Sequence, residues 1–293
     1  MAFTTSFHWG APADRTWREP ARFIDVCRRA ARAGFESVDI PQAPAFAEAI
    51  ALATAAAGAI RDVRFRFTCP TAASLGAALA DEGVKDRLKD ACAALEGRLI
   101  LHVKMDDDDG APGDDVDGVA EAAAALEWCR RLFVDSARPE LDVEGQAAEA
   151  AFLAIRHADR LWRRPASPTM ADADAWPVLH FGTDVGLVTS VVARETTNEA
   201  LAAASVLLRE AGDFANDSAS WIAPCVWAGG GSDPNARTAL LIGSFDELAQ
   251  AIHRYARGGI SSFLIKGWGL DEVDDREMAI VGSGVVPLVR RGE

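Results

Sequence analysis

The sequence predicts an α/β protein of alternating strands and helices, either a (β/α)8 TIM barrel or a trimmed version with a shortened middle region. The clearest unit is the hydrophobic run at 185–192, followed by a polar turn and a helix at 198–211. A second unit begins at 238 and leads through a helix into the apolar run 260–266. An open doubly wound sheet is the alternative. We expect residues 1–293 to form one domain, since barrels of this kind commonly reach about 250 residues.

Helix-start and helix-stop signals mark several of these elements. Thr196 with Glu199, and Ser244 with Glu247, fit the capping box, in which a hydroxyl and a carboxylate satisfy unpaired backbone amides. Apolar periodicity predicts the other elements, which are strands at 4–9, 35–40, 63–67 and 99–103, and helices at 20–33, 45–57, 119–133 and 145–157, with helical spacing also at 75–95 across a turn at Gly83.

The middle of the chain gives the weakest pattern. Residues 104–118 are rich in Asp and Gly and predict a loop, and residues 163–177 predict an irregular connection rich in proline. A strand expected between 140 and 155 is poorly represented, which motivates the trimmed version of the barrel.

Composition excludes several classes of function. A formal net charge of −14 argues against binding to nucleic acid or to anionic membranes. No apolar run approaches the roughly 20 residues of a membrane span, and no signal peptide is recognisable, so a soluble cytoplasmic protein is expected. Five scattered cysteines and five histidines without metal-ligand spacing favour neither disulfides nor a metal site.

Two other motifs have simpler interpretations. The aspartate run at 106–109 lacks carboxylates at the first and twelfth positions of a calcium-binding EF-hand loop, so a solvated loop is the better interpretation. The three glycines at 229–231 lack the spacing of a dinucleotide fingerprint and favour a mobile loop near the barrel mouth.

Three segments carry a family resemblance. Residues 185–199, residues 238–268, and the helix-to-strand turn at 30–38, with Gly34 and Phe35, are similar to the bacterial luciferase-like flavin monooxygenases. The alkanesulfonate monooxygenase branch is the most similar. The resemblance implies a (β/α)8 barrel, reduced FMN supplied by a separate flavin reductase, and insertion of one oxygen atom from O2 through a flavin peroxide. It also implies a homodimer, or a heterodimer with a related barrel chain.

The chain departs from that branch at most of its polar pocket positions. The residues that replace the branch's groups are Phe46 for a cysteine, Cys69 for an arginine, His102 for an asparagine, Val188, Thr189 and Ser190 for arginine, leucine and histidine, and Trp268 and Leu270 for a tyrosine and a histidine. A pocket so depleted of cations is not expected to bind alkanesulfonates.

The interpretation is therefore a flavin-dependent monooxygenase acting on a small, uncharged or weakly polar organic substrate. His102 is the first candidate for proton transfer, because an unperturbed histidine pKa of about 6.5 suits chemistry near neutral pH. The remaining candidates are His8 as a second catalytic residue, Cys69, Ser190, Arg237, Lys266 and Trp268 for the cofactor, with Lys266 or Arg237 at its phosphate, and Trp162 and Phe46 for the substrate pocket. The alternative is a catalytically degenerate subunit that stabilises or regulates an active partner chain.

Overall fold

The fold is described from a computed structural model of the chain. The structure describes residues 5–10, 19–40, 46–69, 75–76, 79–105, 116–132, 138–165, 167–208, 220–228, 240–268 and 271–292.

Eight parallel strands form a closed barrel, as the sequence predicts. The last strand pairs in parallel with the first, with Phe7 opposite Phe263, and also with the seventh, with Leu187 opposite the same residue. In chain order the barrel strands are β1 (Ser6–Gly10), β2 (Ser37–Ile40), β3 (Arg64–Cys69), β4 (Leu99–Lys104), β5 (Glu140–Glu144), β6 (Arg160–Arg163), β7 (Asp184–Arg194) and β11 (Ile260–Lys266).

Strand β7 is longer than the others, and on the edge that faces away from β6 it pairs with two strands. Its first half pairs with β11, and its second half pairs in parallel with β10 (Leu240–Ser244). An antiparallel hairpin of β8 (Trp221–Ala223) and β9 (Val226–Trp227) continues the sheet beyond β10.

Helices lie between the strands and after the last one. In chain order they are α1 (Pro20–Arg32), α2 (Phe46–Ala57), α3 (Glu82–Leu95), α4 (Val116–Leu132), α5 (Ala148–His157), α6 (Pro168–His180), α7 (Thr197–Leu207), α8 (Phe245–Arg257), α9 (Asp271–Ile280) and α10 (Val286–Arg291), the last two joined by a π-helical turn at Val281–Val285. Both predicted capping boxes are present, at the starts of α7 and α8.

The middle of the chain corrects the sequence prediction in two places. Strand β5 does exist, but only Leu141 and Val143 supply its apolar alternation, and the intervening residues Glu140, Asp142 and Glu144 are of types that are uncommon in strands. The region 163–177, predicted as an irregular connection, contains most of α6, which starts at Pro168, where a proline is tolerated in the first turn, and contains Pro177.

The two faces of each strand differ sharply in character. Outward residues such as Phe7, Phe65 and Val143 join the main hydrophobic core between the barrel and the helices. Inside the barrel, Trp162, Val188 and Leu264 form a small separate apolar cluster. The rest of the barrel interior is largely polar, and that is where the site is found.

Candidate active site

Residues that alternate with the outward core residues face the barrel interior, because successive side chains of a strand point to opposite faces. Barrel interiors are ordinarily filled by branched apolar side chains. Here the inward set includes Ser6 and His8 of β1, Ser37 and Asp39 of β2, Arg64, Arg66 and Thr68 of β3, His102 and Lys104 of β4, Glu140, Asp142 and Glu144 of β5, Arg160 and Trp162 of β6, and Ser262 and Lys266 of β11.

The end of the barrel at which the strands begin is closed by ion pairs. Glu140 accepts from Arg160 at 2.6 Å and pairs with Arg64 at 2.5 Å. Burial tends to raise the pKa of Glu140, but Arg160 and Arg64 outweigh it and hold the pKa below its ordinary value. This end of a barrel serves stability more often than chemistry.

Trp162 occupies the centre of the interior and is fully buried. Its indole N–H donates to Asp142 Oδ2 at 2.7 Å, and the Arg66 guanidinium carbon lies 4.8 Å from its ring centroid. Gly186 is the register partner of Trp162, and its missing side chain leaves the space that the ring fills. Trp162 was predicted to line the substrate pocket, and the structure places it in the packed floor beneath the barrel mouth.

His8 is held between two serine hydroxyls. Its Nδ1 lies 2.8 Å from Ser37 Oγ, and its Nε2 lies 3.0 Å from Ser6 Oγ. Burial, and then the neighbouring arginines, with Arg66 foremost, lower the pKa of His8 well below its ordinary value. Because both ring nitrogens have partners, this arrangement describes a neutral structural histidine.

His102 lies nearer the end at which the strands finish, where barrel enzymes place their chemistry. Its Nε2 lies 2.8 Å from Glu144 Oε2, and its ring is parallel to Trp162, with centroids 6.4 Å apart. Its other nitrogen, Nδ1, is buried without a hydrogen-bond partner among the described residues. Thr68, its register partner on β3, has a buried hydroxyl that also lacks a hydrogen-bond partner among the described residues.

The pKa values of the pair are shifted in a consistent way. Although burial alone raises the pKa of Glu144, its hydrogen bond with His102 and the nearby Lys266 and Lys104 bring the pKa far below the ordinary range. Burial lowers the pKa of His102, and Glu144 only partly opposes that effect. At neutral pH the pair is a carboxylate beside a neutral imidazole.

Two lysines lie at the carboxyl ends of the strands. Lys266 is one-quarter exposed and donates to Asp39 Oδ2 at 3.2 Å, so its ammonium is already paired. Lys104 is half-buried at the last position of β4, opposite Glu144, and makes no ion pair within the described part of the chain. Lys104 is therefore better placed than Lys266 to bind an anionic group.

The other predicted site residues are dispersed. Cys69 lies in the helix-facing core, where burial raises the pKa of its thiol, and it is separate from the interior cluster. Ser190 is buried on β7 opposite Leu240, on the same face of the strand as Val188 of the barrel interior. Trp268 is half-buried against a second apolar cluster beside β10. Phe46 begins α2, but its side chain, like Arg237 and Leu270, lies outside the described residues.

The sequence-based prediction missed the interior partners of His102. Glu144, Thr68 and Lys104 were not among the candidates, although Thr68 lies two residues after Arg66 in an alternating run. Glu144 was missed because β5 itself was not recognised. No group of three or more His, Cys, Asp or Glu side chains in the described ranges is arranged to hold a metal ion. None of the described helices has the length and hydropathy required to cross a bilayer.

Comparison with known proteins gives similarity at the level of fold. The sequence matches no protein-family model and no curated protein sequence. A solved long-chain alkane monooxygenase (LadA) superposes with a TM-score of 0.69 at 12% identity, covering 100% of this chain and 92% of that one. Riboflavin lyase (RcaE), solved with modified FMN and riboflavin, gives 0.67 at 14%, covering 99% and 92%. The EDTA monooxygenase (EmoA) of Chelativorans sp. BNC1 gives 0.66 at 12%, covering 99% and 94%.

Proposed function

We propose that this chain is a luciferase-like flavin-dependent monooxygenase that uses reduced FMN and O2 on a small, uncharged organic substrate. Two of the proteins with a similar fold are monooxygenases, and the third was solved with a modified FMN. When bound, reduced FMN would supply the activation of O2. The proposal includes a separate flavin reductase as the source of the reduced cofactor.

The observation that carries this proposal is a pair of buried polar atoms that have no hydrogen-bond partner among the described residues, Thr68 Oγ1 on β3 and His102 Nδ1 on β4, in residues that are register partners. Leaving buried polar atoms unpaired costs about 1–3 kcal/mol each, so two such atoms on neighbouring strands need an ordered water, an ion or a ligand as partner. They fit a polar heteroaromatic ring system or the substrate beside it. His102 would hold or accept a proton at Nδ1, and Trp162 would exclude water from below.

Lys104 would bind the cofactor phosphate at the barrel mouth. A hydrogen bond to a charged group contributes about 1.5–3 kcal/mol, and about 1.4 kcal/mol corresponds to a tenfold change in affinity. We expect Lys104→Met to weaken binding of reduced FMN at least tenfold and to leave binding of reduced riboflavin, which has no phosphate, unchanged. Lys89→Met, on the exposed face of α3, is the matched control for loss of a lysine.

The measurement is an anaerobic titration followed by tryptophan fluorescence. Micromolar binding of reduced FMN is expected for the unmodified chain. Absence of binding at micromolar flavin would overturn the proposed enzyme. Equal losses for FMN and riboflavin in Lys104→Met would instead remove Lys104 from the phosphate site and leave the flavin proposal standing.

One surface feature favours the second candidate, a subunit that stabilises an active related barrel chain. Trp176 of α6 and the adjacent Phe181 are about two-thirds exposed, and Phe152 of the neighbouring α5 is half-exposed. Exposed aromatic groups of this size are typical of surfaces that associate with another protein. Flavin-dependent oxygen consumption by the purified chain alone, above the free-flavin background, would exclude this alternative.

A further inference from the structure

We propose that Glu144 positions His102 as a base that acts through Nδ1, and that the site takes a neutral substrate presenting an O–H or N–H group to that nitrogen. The substrate class rests on the proposed function of this site. The state of the histidine does not, because it follows from contacts within the chain.

The hydrogen bond with Glu144 determines which ring nitrogen of His102 carries the proton. Glu144 Oε2 lies 2.8 Å from His102 Nε2, and a carboxylate can only accept a hydrogen bond. The strongly lowered pKa of Glu144 keeps it ionised at neutral pH. The proton of the neutral imidazole is therefore on Nε2, and Nδ1 keeps a lone pair.

The lone pair on His102 Nδ1 lies in the buried interior of the barrel. Nδ1 is buried and has no partner among the described residues, and the Trp162 ring lies parallel to the imidazole with the two centroids 6.4 Å apart. The charged groups whose fields act on His102 are Glu144 and Asp142 of β5, Arg66 of β3 and Lys266 of β11. Burial, Arg66 and Lys266 disfavour the imidazolium form of His102, so the ring is neutral before the reaction. Glu144 favours the imidazolium form, so this carboxylate stabilises the proton that His102 accepts.

The groups around His102 Nδ1 limit which substrates can bind beside it. An unprotonated nitrogen requires a donor, and the Thr68 hydroxyl beside it can donate or accept. Inside the barrel, Arg66 is paired with Asp39 and Asp142, and Arg160 is paired with Glu140. At the strand ends, Lys266 is paired with Asp39. The proposed function assigns the remaining lysine, Lys104, to the cofactor phosphate, so an anionic substrate would find no other free cation among these described residues. A neutral alcohol, phenol or amide-type N–H would find an acceptor.

The proposed step is a proton transfer from the substrate to His102 Nδ1. The bond between hydrogen and the substrate oxygen or nitrogen breaks, the proton moves to Nδ1, and the bonding electrons stay on the substrate atom. His102 becomes an imidazolium whose Nε2–H still donates to Glu144. Glu144 is thus a positioning residue, since it acts through His102.

The test of the histidine state is ¹⁵N NMR of protein labelled at histidine, at pH 7 and without flavin. We expect one histidine with a protonated Nε2 and an unprotonated Nδ1 whose signals vanish in His102→Asn. In Glu144→Gln the proton is expected to redistribute between the two nitrogens, because an amide can donate as well as accept. Glu140→Gln removes a buried carboxylate from the same face of the same strand and should leave the His102 signals in place.

Once the His102 signals are assigned with His102→Asn, the wild-type spectrum decides the protonation state. A protonated Nδ1 on His102 at pH 7, as the other tautomer or as an imidazolium, would overturn the assignment. Unchanged His102 signals in a folded Glu144→Gln protein would show that Glu144 does not set the tautomer.

The substrate class is tested with two probes of similar shape, benzyl alcohol and benzoate. Benzyl alcohol is expected to shift the Nδ1 resonance of His102 at millimolar concentration, and benzoate is not. A shift with benzoate alone, or with neither probe, would overturn the substrate class. Failure of reduced FMN to bind would refute the proposed monooxygenase while leaving the NMR result on His102 intact.

Discussion

At the scale of single residues, Gly186 shows how tightly the barrel floor is built. A Cβ placed on Gly186 would lie 2.5 Å from Trp162 Cζ3 and 3.1 Å from Ser262 Cβ. Trp162 is fully buried and bonded to Asp142, so it cannot move aside without breaking that hydrogen bond. We expect Gly186→Ala to destabilise the fold by about 1–3 kcal/mol, the usual cost of overpacking.

Chemical denaturation would measure this effect. The control is Gly58→Ala, since only a backbone oxygen at 3.9 Å lies near a Cβ at Gly58. That variant should change stability by no more than about 0.5 kcal/mol. Equal stabilities for the two variants would mean that the floor around Trp162 is loosely packed.

His8 leads to a prediction about pH. Its pKa is lowered in the folded state, mainly by burial, so the unfolded chain binds a proton below about pH 6.5 that the folded chain does not. The contribution of His8 is therefore fully present above the unfolded pKa and is lost as the pH falls below it. We expect this residue alone to reduce stability by about 1 kcal/mol between pH 6.5 and 5.5.

The measurement is urea unfolding at both pH values for the wild type and for His8→Asn, which can still bond to a serine. The loss over this interval should shrink by about 1 kcal/mol in the variant. An unchanged slope in His8→Asn would contradict a neutral buried His8.

At the scale of elements, the two capping boxes look alike in sequence and differ in structure. Glu199 accepts one hydrogen bond from the Thr196 backbone, and its side chain is exposed. Glu247 accepts from the backbone and hydroxyl of Ser244 and also from the Thr197 hydroxyl at 2.6 Å, which ties α8 to α7. The Thr197 and Ser244 hydrogen bonds lower the pKa of Glu247.

We therefore expect Glu247→Ala to cost about 1 kcal/mol more than Glu199→Ala, because it removes two further hydrogen bonds of ordinary strength. Thermal or chemical unfolding of the two variants provides the comparison. A double-mutant cycle between Thr197→Val and Glu247→Ala should show coupling. Additive effects would mean that the link between the two helices contributes nothing to stability.

The same elements show what the sequence could and could not predict. Strands whose outward residues are strongly apolar, such as β7 and β11, and helices with explicit caps were predicted because their signals are local. Strand β5 was missed because it has only two apolar residues, and its inward residues are acids, which are uncommon in strands. The charges of Glu140 and Asp142 are compensated by Arg64, Arg66 and Arg160, and Glu144 accepts a hydrogen bond from the neutral His102. These partners come from other strands, and pairing across a barrel leaves no mark in a local window. The candidate site follows the same rule, because the sequence analysis singled out His102 and did not include Glu144, its hydrogen-bond partner from another strand.

At the scale of the whole molecule, barrel closure joins the two ends of the chain. Strand β11 pairs with β1 over five residues and also pairs with β7, so pairing between the first and last strands closes the barrel. The strands of the barrel come from the whole range 6–266, so the chain cannot be divided into two parts that each form a closed barrel. We therefore predict that residues 1–293 unfold as a single domain. Urea transitions followed by tryptophan fluorescence and by far-ultraviolet circular dichroism should have the same midpoint.

A chain cut before β7 supplies the matching test. A fragment of residues 1–183 retains six barrel strands but loses β7 and β11, and it should show no cooperative transition because the edges of β1 and β6 are left open. Two separate transitions in the full chain, or a cooperatively folded fragment, would indicate that the chain divides into independent domains. Coincident transitions would instead tie the stability of the His102 site to the whole barrel, since strands from both halves of the chain contribute to it.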